Sequence, residues 1–238
     1  EDACSTWAPI ISQTNFNHLQ IIQNQIARIA TGHTADTNNN IVNQETKLLP
    51  IEPHTAIHSS NLRHEATKPE HPLNHLLQNH QPPRTMKKTI FNNTDNLITL
   101  QTVHSSTDQH SHTLQARKTI HTQAVLQHLT TIPENNILNR PPPEIDKSEI
   151  ELPRQTRRLL AQLRANKSPF LRSYLHNIDP INHTSPNCPL CRMSEHNTAH
   201  LFNCTHIPTT LGPDSLWLNP AGAAALLDTW TAALAGAP

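Results

Sequence analysis

The stretch Cys188-Pro-Leu-Cys191-Arg-Met-Ser-Glu-His-Asn-Thr-Ala-His200-Leu-Phe-Asn-Cys204 decides how the C-terminal part of this chain folds. Cys188 and Cys191 form a C-x-x-C pair, and a tight turn at that spacing points both sulfurs the same way. Eight residues separate Cys191 from His200, and three separate His200 from Cys204. At i and i+4, His200 and Cys204 share one face of a short helix. A turn and a helix that together supply three thiolates and an imidazole make a closed tetrahedral Zn²⁺ site of the Cys₃His type. Such a site leaves no position for water, so the expected role is structural and not catalytic. The competing reading makes these ordinary buried thiols of a reduced protein. The metal reading is the stronger one because three of the four cysteines fall in this one window. His196 and His206 are near enough in sequence to replace His200, but His200 alone has the helical register with Cys204.

Composition narrows what surrounds this site. A chain of 238 residues is long enough for one or two domains. Its hydrophobic fraction is 35%, its aromatic fraction 3% and its mean hydropathy −0.56, which is thin material for one large core. Small ordered patches joined by polar segments are expected instead. Net charge is zero with His neutral, so nucleic-acid binding has to rest on local clusters. Cysteines gathered in a metal-like cluster argue for a reducing compartment, nucleus or cytoplasm, and against a disulfide framework. The sequence has no signal-peptide pattern and no run of about 18 apolar residues, so no membrane partner is expected. The opening at Glu1 without Met and the Ala-rich end suggest a fragment. The 18 His and 20 Pro, with abundant Asn, Thr and Gln, are residues encodable by codons of A and C alone. That bias raises the alternative of a decayed copy without function.

Taken in order, the chain is expected to be mainly α. Phe16, Leu19, Ile22, Ile26 and Ile29 recur at helical spacing after start signals at Ser12 and Thr14, and Gly32 sits where a C′ glycine ends a helix. A second helix carries Ile41, Val42, Leu48 and Leu49, with Asp36, Thr37 or Asn38 as its cap and Pro50 as its end. A third runs from about Pro53 to before Pro69. These three helices make a small module over residues 1–77. Residues 78–143 read as a polar Pro/His/Asn/Thr-rich linker with one short helix, from about Lys118 to Leu129. Short strands are expected at Ile90-Phe91 and from Leu97 to Val103, and the His104–His112 stretch reads as solvated histidines. Pro141-Pro142-Pro143 is a stiff spacer and marks the boundary.

Residues 144–238 make the second module, a helical mini-domain with the zinc knuckle. Pro153 opens a helix bearing Leu159, Leu160 and Leu163, then Phe170, Leu171, Tyr174 and Leu175, and Pro169 divides it into two shorter helices. Its polar positions are Arg154, Arg157, Arg158, Arg164, Lys167 and Arg172, with no acidic residue between Pro153 and Asn177. Basic helix faces are usually just solvated. An unbroken positive run beside a metal module instead favours phosphate contact, and six such contacts would give a log–log salt slope of roughly −5. Asn219 caps a last helix with Pro220 at its first position, and Ala223, Leu226, Leu227 and Trp230 give it a packing face over the knuckle and the basic helix.

Several segments resemble one family. Thr14 to Gly32 (T-N-F-N-H-L-Q-I-I-Q-N-Q-I-A-R-I-A-T-G) and Glu45 to Pro50 (E-T-K-L-L-P) resemble the region beyond the polymerase palm in Jockey-like non-LTR, LINE-type retrotransposon polyproteins. Leu152 to Leu175, then C-P-L-C…H-L-F-N-C and S-L-W-x-x-P (Ser215 to Pro220), is similar to the C-terminal tail of the same proteins. The resemblance implies that Cys188, Cys191, His200 and Cys204 hold zinc. It also implies that the tail helps to grip element RNA or target DNA during target-primed reverse transcription, working with the polymerase portion that this chain does not contain. No Y-x-D-D or F-x-D-D pair is present to hold a polymerase's metal ions, so no catalytic residue is expected in this chain. The knuckle differs from the retroviral nucleocapsid type, whose spacing from second Cys to His is four, with Gly and aromatics in the loop. Base stacking through aromatics therefore has no support, and backbone-phosphate contact is the expected mode.

Overall fold

A computed structural model describes residues 11–66, 68–79, 109–130 and 135–236. Helix dominates, and among these residues there is no sheet; the only ladder contacts are isolated bridges, Asn135 to Arg140 and Asn187 to Glu195. The helices are α1 (Gln13–Thr31), α2 (Asn39–Thr46), α3 (Ile51–Ala66), α4 (Asn74–Asn79), α5 (Gln109–Thr130), α6 (Arg154–Arg164), α7 (Arg172–Ile178), α8 (Thr198–Leu201), α9 (Ser215–Leu218) and α10 (Pro220–Ala235). A 3-10 turn spans Lys147–Glu151. The expected strands and Trp7-Ala8-Pro9 lie outside the described residues, as does the stretch from His104 to Asp108. None of the described helices is long and apolar enough to cross a membrane.

Contacts gather the chain into two compact units that cut across the expected segments. One is Glu1–Gln23 with Lys47–Thr131, and the other is Asn24–Thr46 with Ile132–Pro238. The first division falls inside α1, so the N-terminal helices do not form one module over residues 1–77. In the first unit α5 packs on α3. Leu49 and Ile57 are buried with Ala124 and Val125 against them, and Phe16 and Ala56 form a second small cluster. The Gln20 side chain accepts from the Ile51 N–H at 2.8 Å, and the Gln23 side chain donates to the Leu49 carbonyl at 3.0 Å. Helix α5 spans 22 residues, not the dozen expected, because its first half is polar and carries no apolar period by which to see it.

The second unit holds the larger core. Leu160 and Leu163 of α6, Leu171 and Tyr174 around α7, Leu201 of α8, Leu216 and Trp217 of α9, and Ala223, Leu227 and Trp230 of α10 form one buried cluster that includes Cys188 and Cys204. Each fully buried leucine contributes about 1.5–3 kcal/mol relative to exposure. Helix α10 packs on α6 and α9, as its apolar face requires. Its start is the expected one: the Asn219 side chain accepts from the Gly222 N–H at 2.9 Å and Pro220 occupies the first turn. The division of the basic helix is also found, but it falls earlier than Pro169. Helix α6 ends at Arg164, and Asn166 takes a left-handed φ of 53°.

The apolar stripe of α1 departs from expectation. Phe16 and Ala27 are its buried side chains, whereas Ile22, Ile26 and Ile29 are 51, 60 and 72% exposed. Periodicity marks a face; it does not say that a partner covers it.

Candidate metal centre and cationic face

The knuckle is built by backbone geometry first. The Cys188 N–H donates to the Ser194 carbonyl and the Arg192 N–H to the Cys188 carbonyl, both at 2.8 Å. Arg192 closes this turn with a left-handed φ of 61°. The turn aims backbone N–H groups at sulfur: those of Leu190 and Cys191 at Cys188, and those of Met193 and Ser194 at Cys191. These donors stabilise thiolates before any cation arrives.

Helix α8 supplies the other two groups. The Asn197 side chain caps it, accepting from the His200 N–H at 3.0 Å, and this fixes the rotation at which His200 leaves the helix. Cys204 follows just beyond the helix end. The four ligand atoms, three sulfurs and one imidazole nitrogen, all lie within 4.8 Å of one another. Cys188 Sγ is 4.0 Å from Cys204 Sγ, and Cys191 Sγ is 3.4 Å from His200 Nε2. A tetrahedron with metal–sulfur bonds of about 2.3 Å and a metal–nitrogen bond of about 2.0–2.1 Å needs separations of roughly 3.8 and 3.5 Å. The group therefore has the dimensions to hold a metal ion, and the three cysteines are free thiols.

The proton affinities suit the same purpose. Burial pushes the Cys188 thiol up to about 11, with Cys191 and Cys204 adding to the rise against the pull of the backbone donors. Burial would also raise Cys191, but the Met193 and Ser194 N–H groups outweigh it and hold this thiol below its ordinary value. Burial lowers His200, keeping the imidazole neutral and free to ligate. A divalent cation held by this group would supply the positive charge that favours the Cys188 thiolate.

His196 has a different task. It is fully buried, its Nδ1 accepts the Arg172 N–H at 3.1 Å, and its ring lies 5.2 Å from that of Trp230. Its carbonyl accepts the Ser173 hydroxyl at 2.9 Å. His196 thus pins the start of α7 to the knuckle. It is not among the four clustered ligands, and neither is His206, which is exposed.

The six cations expected on one face do not share one environment. Arg164 is 1% exposed. Its guanidinium donates to both Glu149 carboxylate oxygens, to Glu45 at 3.0 Å and to the Leu216 carbonyl. It is a core ion pair and faces no phosphate, which corrects its expected role. Burial would raise the Glu45 pKa, but the His33 hydrogen bond and the Arg164 charge outweigh it and hold the carboxyl below its ordinary value. Lys167 donates to Asp36 at 3.0 Å and lies over the Tyr174 ring. The absence of acids within the basic stretch was thus misleading, because Asp36, Glu45 and Glu149 arrive from elsewhere in the chain. Arg154, Arg158 and Arg172 remain exposed and Arg157 is half-buried. Among the described residues no carboxylate forms an ion pair with any of these four.

Arg28 and His33 were not foreseen beside this face. They line a cleft of about 570 Å³ together with Arg154, Arg157 and Arg158. Nothing local could have placed them there, since they stand more than a hundred residues from α6 in sequence. Comparison with protein-family models, with curated proteins and with solved structures finds no match.

Proposed function

We propose that this chain is a non-catalytic, zinc-stabilised module that holds RNA or DNA by its phosphates. The resemblance to the C-terminal part of non-LTR retrotransposon polyproteins would place that grip in target-primed reverse transcription, beside a polymerase portion carried elsewhere. Zn²⁺ is the metal that three thiolates and one imidazole in a tetrahedral group favour. A closed set of four protein ligands leaves no position for a substrate, so the metal's role is to hold the fold.

The observation that carries the nucleic-acid reading is the state of Arg154, Arg157, Arg158 and Arg172. They stand on α6 and α7 without carboxylate partners among the described residues, while the neighbouring Arg164 and Lys167 are paired. With four cations in place of six, the log–log salt slope is expected at roughly −3 to −4. Binding of RNA and DNA oligonucleotides to the zinc-loaded chain across a salt series tests this. A slope near zero, or no binding at low salt, would remove the phosphate reading.

A second reading, a metal-clasped protein-interaction module, is favoured by the exposed Ile26 and Ile29 on α1. It predicts partner binding that depends little on salt, so the same series separates the two.

A further inference from the structure

The cleft beside Gly32 is built for more than general attraction to a polyanion. Its one wall is the first turns of α6, a helix with no acidic residue in its first turn and no side-chain cap at Pro153. Helix N-termini carry partial positive charge and normally attract acidic residues. Here Arg154, Arg157 and Arg158 add three guanidinium charges of the same sign at that end. Among the described residues no carboxylate pairs with them, and the main offset is a long contact of 3.5 Å from Arg154 to the Ile29 carbonyl. An anion placed at such an end is stabilised.

One further group carries independent weight. Arg157 Nε and His33 Nδ1 are buried without any hydrogen-bond partner, and the His33 side chain is 0% exposed. Both residues line the cleft. Arg157 Nε is a donor, and leaving it buried and unpaired costs free energy that an acceptor oxygen pairing it recovers. With His33 Nε2 donating to Glu45, the neutral ring presents only a lone pair at Nδ1, so Arg157 alone calls for an anion. The two carboxylates in the wall, Glu45 and Glu149, do not cancel the field: Arg164 pairs with both and offsets one of their two charges, and the other stands against Arg28, Arg154, Arg157 and Arg158 in the same lining. The packing is close as well: a Cβ on Gly32 would stand 2.5 Å from Arg158 Cγ.

Volume and charge choose the ligand. A cleft of about 570 Å³ takes a phosphate with its attached nucleoside, but it does not take a duplex. A phosphomonoester carries about −1.5 to −2 charge at neutral pH, more than a diester, and offers three acceptor oxygens to several guanidiniums. We infer that this cleft binds the phosphomonoester end of a nucleic-acid strand. The inference deepens the phosphate-binding reading above and, for its strand ligand, rests on it.

The test uses the zinc-loaded full chain and one internally labelled single strand in three forms: 5′-phosphorylated, 3′-phosphorylated and unphosphorylated. One phosphorylated form is expected to bind about tenfold tighter than the unphosphorylated strand. Arg158→Gln and Arg154→Gln, checked for native circular dichroism, should each abolish that preference. Arg172→Gln should weaken all three forms alike. Equal affinity for the three forms, with only Arg172→Gln weakening them, overturns the cleft inference and leaves the phosphate reading standing. A nucleoside 5′-monophosphate tested by thermal shift supplies the converse. If it raises the melting temperature in an Arg158-dependent way while no strand binds, the cleft stands and the nucleic-acid reading falls. Failure of both ligands overturns both.

Discussion

At the residue scale the molecule depends on a few side chains whose neighbours change their chemistry. His196 shows this most simply. Burial, aided by the charges of His200 and Arg172, pushes its pKa down to about 4. The unfolded chain takes up this proton near its ordinary value of about 6.5. Unfolding therefore binds a proton throughout the window between about 6.5 and about 4, and stability falls as pH falls through it. For one proton the total is roughly 3 kcal/mol. Protonation of the metal ligands adds its own slope at low pH, so the informative quantity is the difference from a variant. His196→Leu, which keeps an apolar body against Trp230, should show a pH dependence flatter by about one proton when urea midpoints are compared at saturating zinc. Equal slopes in the two proteins would show that His196 is not the group responsible.

At the scale of elements, legibility followed sequence distance. Cys188 with Cys191 could be read because the pair lies within one turn, as could the Asn219-Pro220 start of α10. His200 and Cys204 do meet, but not on one helix face as expected, because α8 ends at Leu201. The Arg164 pair with Glu45 spans 119 residues and that of Lys167 with Asp36 spans 131, and no local pattern announces either. That is why the basic face looked larger in sequence than it is in the fold. Gly32 was legible in part: it does follow the end of α1 with a φ of 85°, as a C′ glycine should. Its second duty, letting α6 approach so closely that a Cβ would meet Arg158 Cγ at 2.5 Å, appears only in the packed structure. Gly32→Ala therefore combines left-handed strain with a clash, and about 1–3 kcal/mol of destabilisation is expected from chemical denaturation. Gly212→Ala is the control. Nothing lies within 4 Å of a Cβ there, and a change within about 0.5 kcal/mol is expected. Similar costs at both positions would mean that the approach of α6 to Gly32 is not a tight one.

At the scale of the whole molecule, the metal should matter to one compact unit and not to the other. Cys188 and Cys204 are buried members of the same cluster as Leu160, Leu201, Trp217 and Trp230, so the ligands are part of that core and not an appendage to it. Without an ion, the Cys188 sulfur is one that burial disfavours as a thiolate, inside a core whose α8 is only four residues long. A helix of one turn has no stability of its own in water. Were this group to hold a structural zinc ion, binding and folding would be coupled, with an apparent binding free energy of roughly 10–16 kcal/mol. The residues that respond should be those tied to this core, including a segment remote in sequence. Asn24–Thr46 is joined to it by the Gln162 hydrogen bond to the Gly32 carbonyl at 2.9 Å and by the Glu45 pair with Arg164. Hydrogen exchange after chelation should thus rise across residues 135–236 and across 24–46 together. Exchange in α3, which packs on α5 in the other unit, should stay near its zinc-loaded level. Protection unchanged everywhere would mean that the four ligands are merely buried thiols and an imidazole. A rise confined to residues 186–206 would mean that the knuckle is a local clasp and that the larger core stands without it.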